Sequence, residues 1–544
     1  MSGLPVEATR PDRPADLDFG AFSDNPPWVL DLDALSWKHG LEAVRAEVRG
    51  HVPLLTRKRL LPPGRRVAQI AADFGLGMGR WRFGEPRRSD QATGENHRSR
   101  VDLSTRLRTS SERLGPTFIK LGQIISSGEG VFPAELVEEF RKCRDQVPAE
   151  DWSHVERVVT EDLGRSINEV FESFDREPLA AASIAQVHRA TLRTPEGPIE
   201  VVVKVQRPDI RERVHKDLAA MAWLAPFLIG RIPVTALANP PALVEVFAQS
   251  IVEELDFRLE AENMLDVAQS LAALDQRSYV VPRPHPKLVT ERVLVMERLS
   301  GFNFEDVAGI VDAGVDLHDI VRTGMVGFLE GALINGIFHG DLHGGNLFVQ
   351  PDGRTALLDY GIVGRLTEPR RVAFLKLLVA STTNDVRGQV AAIRDLGALP
   401  PDTDLDAVVR DLGLDQVPTD PTTLSREQMV DELNAVVKNL LGYGARMPRE
   451  LMLFAKNLVF LDAAIGTLTP DLDLFKEISH IAMIFARRHG NQLAADVGLK
   501  QDEFNVDLSA MKGQFGLDPA TESITYKELQ DRRDLIRRRL AGQE

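Results

Sequence analysis

Cysteine is nearly absent from this chain: Cys143 is the only one in 544 residues, so no internal disulfide can form. With no identifiable catalytic partner, Cys143 reads as a small helical residue rather than a nucleophile. Long apolar runs are missing as well. The longest, Leu218 to Gly230, is thirteen residues broken by Pro226, short of the about 18 that a membrane span needs. Nor is there an excess of basic charge. Against 80 Asp and Glu stand 65 Lys and Arg, a net charge of −15, which argues against a nucleic-acid partner, since phosphate neutralisation needs a basic face. The first 27 residues carry prolines and Glu7, Asp12, Asp16 and Asp18 in place of a secretory or transit pattern. The expectation is a cytoplasmic protein with no signal peptide and no transmembrane segment. Any membrane contact would be peripheral, at Arg57-Lys58-Arg59 to Arg66 or at Trp81-Arg82-Phe83, although solvated charged faces explain both stretches more simply. Arg532, Arg533, Arg537, Arg538 and Arg539 read as a solvated helix.

What is present is concentrated in His339-Gly340-Asp341-Leu342-His343-Gly344-Gly345-Asn346, followed by Asp359-Tyr360-Gly361. These are the parts of a phosphoryl-transfer site. Asp341 can accept a hydroxyl proton, while Asn346 and Asp359 offer oxygen to a hard divalent cation that bridges nucleotide phosphates. Five residues separate Asp341 from Asn346, and eighteen separate Asp341 from Asp359, room for one hairpin with strands Leu347 to Gln350 and Thr355 to Leu358 around a Pro351-Asp352-Gly353 turn. Upstream, Ile199 to Gln206 reads as a β-branched strand that carries Lys204 where a phosphate-clamping lysine belongs. Its carboxylate partner should come from a helix over Pro241 to Leu265, with the apolar stripe Val244, Phe247, Ile251 and Leu255. Glu254 is assigned that ion pair, with Glu260 as the fallback. No GxGxxG covers the phosphates. Ala180, Ala181, Ala182 and Ser183 stand there instead, in a loop stiffer than glycine would allow.

With these motifs the chain resembles the UbiB/AarF atypical kinase-like family, from about Leu103 to beyond Asp471. The decisive marker is Lys120-Leu121-Gly122-Gln123, the family's KxGQ signature, in a helix that opens at Gly115-Pro116 with Leu114, Phe118, Leu121 and Ile125 as its buried stripe. The resemblance implies an α+β, helix-rich, bilobal protein-kinase-like fold with this helical extension packed on the nucleotide site. Lys120 and Gln123 would then be regulatory, Lys120 meeting the pair Glu254 and Asp256 and keeping protein substrates from the γ-phosphate. It also implies ATP or ADP with Mg²⁺, or alternatively Mn²⁺, as cofactors, slow ATP hydrolysis, and a link to isoprenoid-quinone lipids at the inner face of the cytoplasmic membrane. The chain departs from the family at Gly128 and Gly130 and at Gly344, where proline is usual.

The resulting organisation is a flexible leader to residue 27, an accessory helical region over 28–150, an N-lobe over 151–300, a helical C-lobe over 301–490 and a tail over 491–544. Val293 to Met296 is the strand entering the hinge, where Glu297 joins the nucleotide-binding candidates; Val321 to Ile337 is the helix feeding the catalytic loop, and Leu399 to Pro421, dense in Pro and Asp, is a loop or an insertion. Only Ile362 to Pro369 separates Asp359-Tyr360-Gly361 from a new helix near Arg370, too little for a peptide-docking segment. The expected activity is therefore ATP hydrolysis or transfer to a lipid or quinone precursor, with Asp341, Lys204 and Glu254 as catalytic residues and Asn346 and Asp359 holding metal. Two alternatives stand beside it: a small-molecule phosphotransferase like aminoglycoside and choline kinases, and a non-catalytic ADP-binding scaffold.

Overall fold

The computed structural model describes residues 22–23, 27–56, 64–83, 95–126, 134–142, 148–195, 197–228, 240–383, 385–414, 439–440, 442–445, 448–498 and 523–541. Cys143 and Arg57-Lys58-Arg59 lie outside them, as do the side chains of Trp81, Arg82 and Phe83. Five helices lead in: α1 (Leu41–Thr56), α2 (Gly64–Phe83), α3 (Glu95–Leu114), α4 (Pro116–Ser126) and α5 (Ala134–Arg141). The N-lobe follows with α6 (Trp152–Leu163), α7 (Ile167–Val170), β1 (Phe171–Phe174), β2 (Ala180–Ala181), β3 (Ala185–Leu192), β4 (Ile199–Gln206), α8 (Ile210–Leu228), α9 (Pro240–Glu253), α10 (Phe257–Ala273), β5 (Tyr279–Val280), β6 (Pro284–Val289) and β7 (Val293–Glu297). Its sheet runs β1-β3-β4-β7-β6, with β2 also pairing β3, while β5 pairs with Thr355 and Ala356 of the C-lobe. Strand β4 is central: Val201, Val203 and Val205 are buried on one face, and Lys204 and Gln206 are buried on the other.

The C-lobe begins with β8 (Phe302–Asn303), α11 (Val307–Asp312) and α12 (Leu317–Glu330), capped by the Asp316 carboxylate on the His318 N–H. Where one helix was expected to reach Ile337, α12 gives way to a π turn over Gly331–Asn335. Gly336 closes that turn at φ +72°, and a Cβ there would lie 2.7 Å from the Leu366 carbonyl, so only glycine lets the chain turn into β9 (Ile337–His339). The hairpin β10 (Leu347–Val349) and β11 (Thr355–Leu357) pairs Leu347 with Leu357, and β12 (Val363–Arg365) zips back onto β9. Helices α13 (Glu368–Thr382), α14 (Val386–Asp395), α15 (Leu405–Asp411), α16 (Arg449–Leu468), α17 (Leu474–Val497) and α18 (Tyr526–Ala541) complete the lobe.

Several expectations need correction. The segment read as a loop from Leu399 contains α15, capped by Asp404; residues 415–421 lie outside the described part. Two leader residues are packed, not loose: Phe22 is fully buried under the Arg283 guanidinium, 4.7 Å from ring centroid to Cζ, and Ser23 donates to the Glu297 carboxylate. The arginine-rich terminal helix is tied to α16 by Arg533 on Asp462 at 2.7 Å. Arg66, offered as a membrane contact, instead binds Asp217 and the Leu114 carbonyl. Among the described residues one helix, α16, is long and apolar enough to cross a membrane, with mean hydropathy 1.6. Its charged side chains are all paired: Lys456 with Asp341, Asp462 with Arg533 and Glu450 with Arg370 in the C-lobe, and Arg449 with Glu253 of α9.

Candidate functional site

Strand β4 sets Lys204 between Val187 and Leu294 of its neighbours. The buried ammonium donates to both Glu260 oxygens at 2.8 and 3.0 Å and to Asp359 Oδ1 at 3.1 Å. Burial opposes its charge, but Asp359 and Glu260 outweigh burial and hold Lys204 protonated well above the usual lysine range. Glu260 itself is pushed up to about 7, by burial first and by the nearby Asp359 and Glu254 charges.

Glu254 is therefore not the partner of Lys204, and the reason is a break in the helix. Asp256 caps α10 by accepting the Arg258 N–H at 3.1 Å and also pairs with the Arg258 guanidinium at 2.7 Å. This ends α9 at Glu253 and restarts helical phase at Phe257, one turn before Glu260. The restart aims Glu260 at Lys204, whereas Glu254, in the break, faces Lys120 of α4. Lys120 Nζ lies 3.0 Å from Glu254 Oε2, and both side chains are nearly buried. Asp256, engaged in the cap, is not the partner of Lys120 that the resemblance implied. Burial works against Lys120, but Glu254, Asp341 and Asp359 keep it charged far above its ordinary range; burial raises Glu254 despite that pairing. Gly361 makes the approach possible, since a Cβ there would meet Glu254 Cγ at 3.3 Å and Asp359 Oδ1 at 3.2 Å. Gln123, one turn on, is half-buried on the same helix.

The two loops of the C-lobe are joined through His339. The Asp341 N–H donates to His339 Nδ1 at 3.1 Å, which makes Nδ1 an acceptor and leaves the proton on Nε2, 2.7 Å from the Asp359 carbonyl. Burial lowers the His339 pKa and so favours this neutral ring. Asn346 Nδ2 donates to the Asp341 carbonyl at 3.2 Å, and the Leu358 N–H donates to the Asn346 carbonyl at 2.8 Å. Asp359 adopts φ +56°, a left-handed conformation held by these surroundings. Its carboxylate is nearly half exposed to the cleft. Lys204 and Lys120 overcome burial and hold Asp359 ionised below the usual carboxylate range; Lys456 and Lys120 do the same for Asp341.

The Ala-rich segment is a hairpin. Ala180 and Ala181 pair with Val187 and Gln186, and the Ala182 N–H donates to the Ala185 carbonyl at 2.8 Å. Neither these alanines nor Ser183 takes a positive φ, so the turn needs no glycine. Arg207 straps it, binding the Ala182 carbonyl at 3.0 Å and the Glu150 carboxylate at 2.7 Å. Glu297 at the hinge is already engaged: Ser23 Oγ donates to its carboxylate and the Arg283 N–H donates to it at 3.2 Å. Sequence reasoning missed Lys456, whose ammonium pairs with Asp341 Oδ1, and Asn457 beside it. Their signal was a polar doublet inside the otherwise apolar run Leu451 to Leu461.

Comparison with known proteins places the chain in a family. The ABC1 atypical kinase-like domain matches residues 142–393. An uncharacterized protein of Mycobacterium tuberculosis, Rv0647c, is 37% identical over 66% of this chain and 73% of its own. An uncharacterized aarF domain-containing protein kinase of Arabidopsis thaliana is 32% identical over 68% of this chain and 73% of its own. A probable protein kinase UbiB of Aeromonas hydrophila is 30% identical over 70% of each. A helix-rich, two-lobed α+β fold with this domain makes the chain a member of the UbiB/AarF family of atypical kinase-like proteins.

Proposed function

We propose that the protein binds an adenine nucleotide with Mg²⁺ and turns it over slowly, as an ATPase or as a kinase for a lipid or quinone precursor at the inner membrane face. One observation carries this reading: Lys204 of the N-lobe sheet reaches Asp359 of the C-lobe across the cleft, beside Asn346 and Asp341. The donor set suits a hard cation. Asn346 commits its amide nitrogen to the Asp341 carbonyl, which leaves its side-chain oxygen as a ligand, and Asp359 presents an ionised, part-exposed carboxylate. Glu254 Oε1 is buried without a hydrogen-bond partner, a further sign that this cleft is built around positive charge.

Asn346 and Asp359 would hold the metal, which when bound neutralises charge on the phosphates. Lys204 orients the phosphates, and Asp341 accepts the proton of the attacking hydroxyl or water. Lys120 on Glu254 lies over the same cleft, and α13 begins only seven residues after Gly361, at Glu368. Both features disfavour a protein substrate, despite the words "protein kinase" in the names of relatives. The quinone link rests on family resemblance.

The test is ATP turnover by purified protein, with and without anionic liposomes, for wild type, Asp341→Asn and Lys120→Arg. Slow, liposome-stimulated turnover that Asp341→Asn abolishes is expected. Equal turnover by wild type and Asp341→Asn would favour a nucleotide-binding scaffold.

A further inference from the structure

From Leu451 to Leu468, α16 carries only two charged side chains, Lys456 and Asp462. Asp462 is bound by Arg533 of α18 at 2.7 Å. Lys456 leaves the helix on the other side and pairs with Asp341 Oδ1; the two side chains are 20% and 18% exposed, so the pair is open to solvent in part. Asn457 is fully buried. Its Oδ1 accepts the Leu342 N–H at 3.1 Å, and its Nδ2 donates to the His339 carbonyl. Neighbouring helical residues diverge by about 100°, so the doublet divides its work. Asn457 grips the backbone of the catalytic loop, and Lys456 stands at its functional carboxylate.

Charge explains why a cation is needed there. A terminal phosphate brought to Asp341 meets a carboxylate head-on, with Asp359 close by. Lys204 is held by Glu260 and Asp359, and Lys120 by Glu254. Lys456 is bound to the very carboxylate the phosphate must approach, and an ammonium has three donors to share. It also lies outside residues 142–393, the span of the matched domain.

We propose that Lys456 is a further catalytic residue, a cation delivered from a C-lobe helix that contacts the γ-phosphate beside Asp341 and so distinguishes a nucleoside triphosphate from a diphosphate. This rests on the nucleotide reading above and adds to it. In transfer, the bond from the γ-phosphorus to the β,γ-bridging oxygen breaks with its electron pair leaving on the diphosphate. The acceptor oxygen bonds to that phosphorus, and its proton passes to Asp341 and on to water. Lys456 donates to a phosphoryl oxygen as Asp341 turns to the acceptor.

The experiment is calorimetric titration of the full chain with Mg-ADP and with the non-hydrolysable triphosphate Mg-AMP-PNP, for wild type, Lys456→Met, Lys456→Arg and Asn457→Ala. Lys456→Met should lose roughly ten-fold in AMP-PNP affinity, the worth of one charge-assisted contact, while ADP affinity changes by less than about two-fold. Lys456→Arg should recover most of that loss. Asn457→Ala, a positioning change, should weaken both nucleotides alike. Should Lys456→Met not fold, Lys456→Gln is held to the same ratio. Equal weakening of both nucleotides by the Lys456 variants, or no change in either, overturns the proposal. Wild type that binds neither nucleotide overturns the nucleotide reading itself, and this proposal with it.

Discussion

Replacing Lys120 by methionine would leave the Glu254 carboxylate alone in a nearly closed site. Its side chain is only 7% exposed, and one of its oxygens already lacks a partner. Removing one member of a buried pair typically costs about 3–5 kcal/mol, because the other charge is stranded. Here the carboxyl can escape by taking up a proton, and that sets a ceiling. At pH 7 a carboxyl with the ordinary value of 4.5 needs about 3.4 kcal/mol to be protonated, and at pH 5 only about 0.7 kcal/mol. The sign follows from linkage: in the variant the folded protein holds a proton on Glu254 that the unfolded chain releases above 4.5, so the penalty is full at neutral pH and fades as pH falls. Lys120→Met should therefore cost about 3 kcal/mol at pH 7 and under about 1 kcal/mol at pH 5. Glu254→Gln in the same background should restore most of the loss at pH 7. Urea unfolding followed by tryptophan fluorescence measures all three. A loss of the same size at both pH values, or no rescue by Glu254→Gln, would refute a buried Lys120–Glu254 pair.

Two further outcomes follow from the geometry. Glu260, pushed up to about 7 from an ordinary 4.5, gains a proton in the folded state between those values that the unfolded chain does not hold, so it makes folding more favourable as pH drops through that window. Glu260→Gln should flatten this part of the stability profile in urea titrations from about pH 8 to 5; a wild-type profile no steeper than that of the variant contradicts the assignment. Phe22→Ala should cost about 3 kcal/mol, as for other fully buried aromatics, and open the Arg283–Glu297 corner to proteolysis; an unchanged melting temperature and cleavage pattern would show that the leader does not hold the hinge.

Local chemistry was the legible part of this chain. The catalytic loop, its hairpin and the strand of Lys204 lie within short windows where alternation, turn residues and spacing speak directly, and the structure has β4, β10 and β11 where those signals lie. The pairing of carboxylates was misread because Glu254-Leu255-Asp256 looked like the interior of one helix, while Asp256 acts as a cap and resets the phase. Contacts across long separations left no local trace of who the partner is. Phe22 meets Arg283, and Lys456 meets Asp341, only after folding. Two charges interrupt the apolar stretch from Leu451 to Leu468, and those charges tie it to Asp341 and to Arg533.

The central claim is that Asn346 and Asp359 hold a metal-bound nucleotide against Lys204. Calorimetric titration of the intact protein with ADP, first with Mg²⁺ and then with EDTA, tests it most directly. The prediction is saturable heat that requires Mg²⁺ and disappears in Asp359→Asn and Lys204→Met. No heat for wild type, or heat indifferent to both Mg²⁺ and Asp359→Asn, would contradict it.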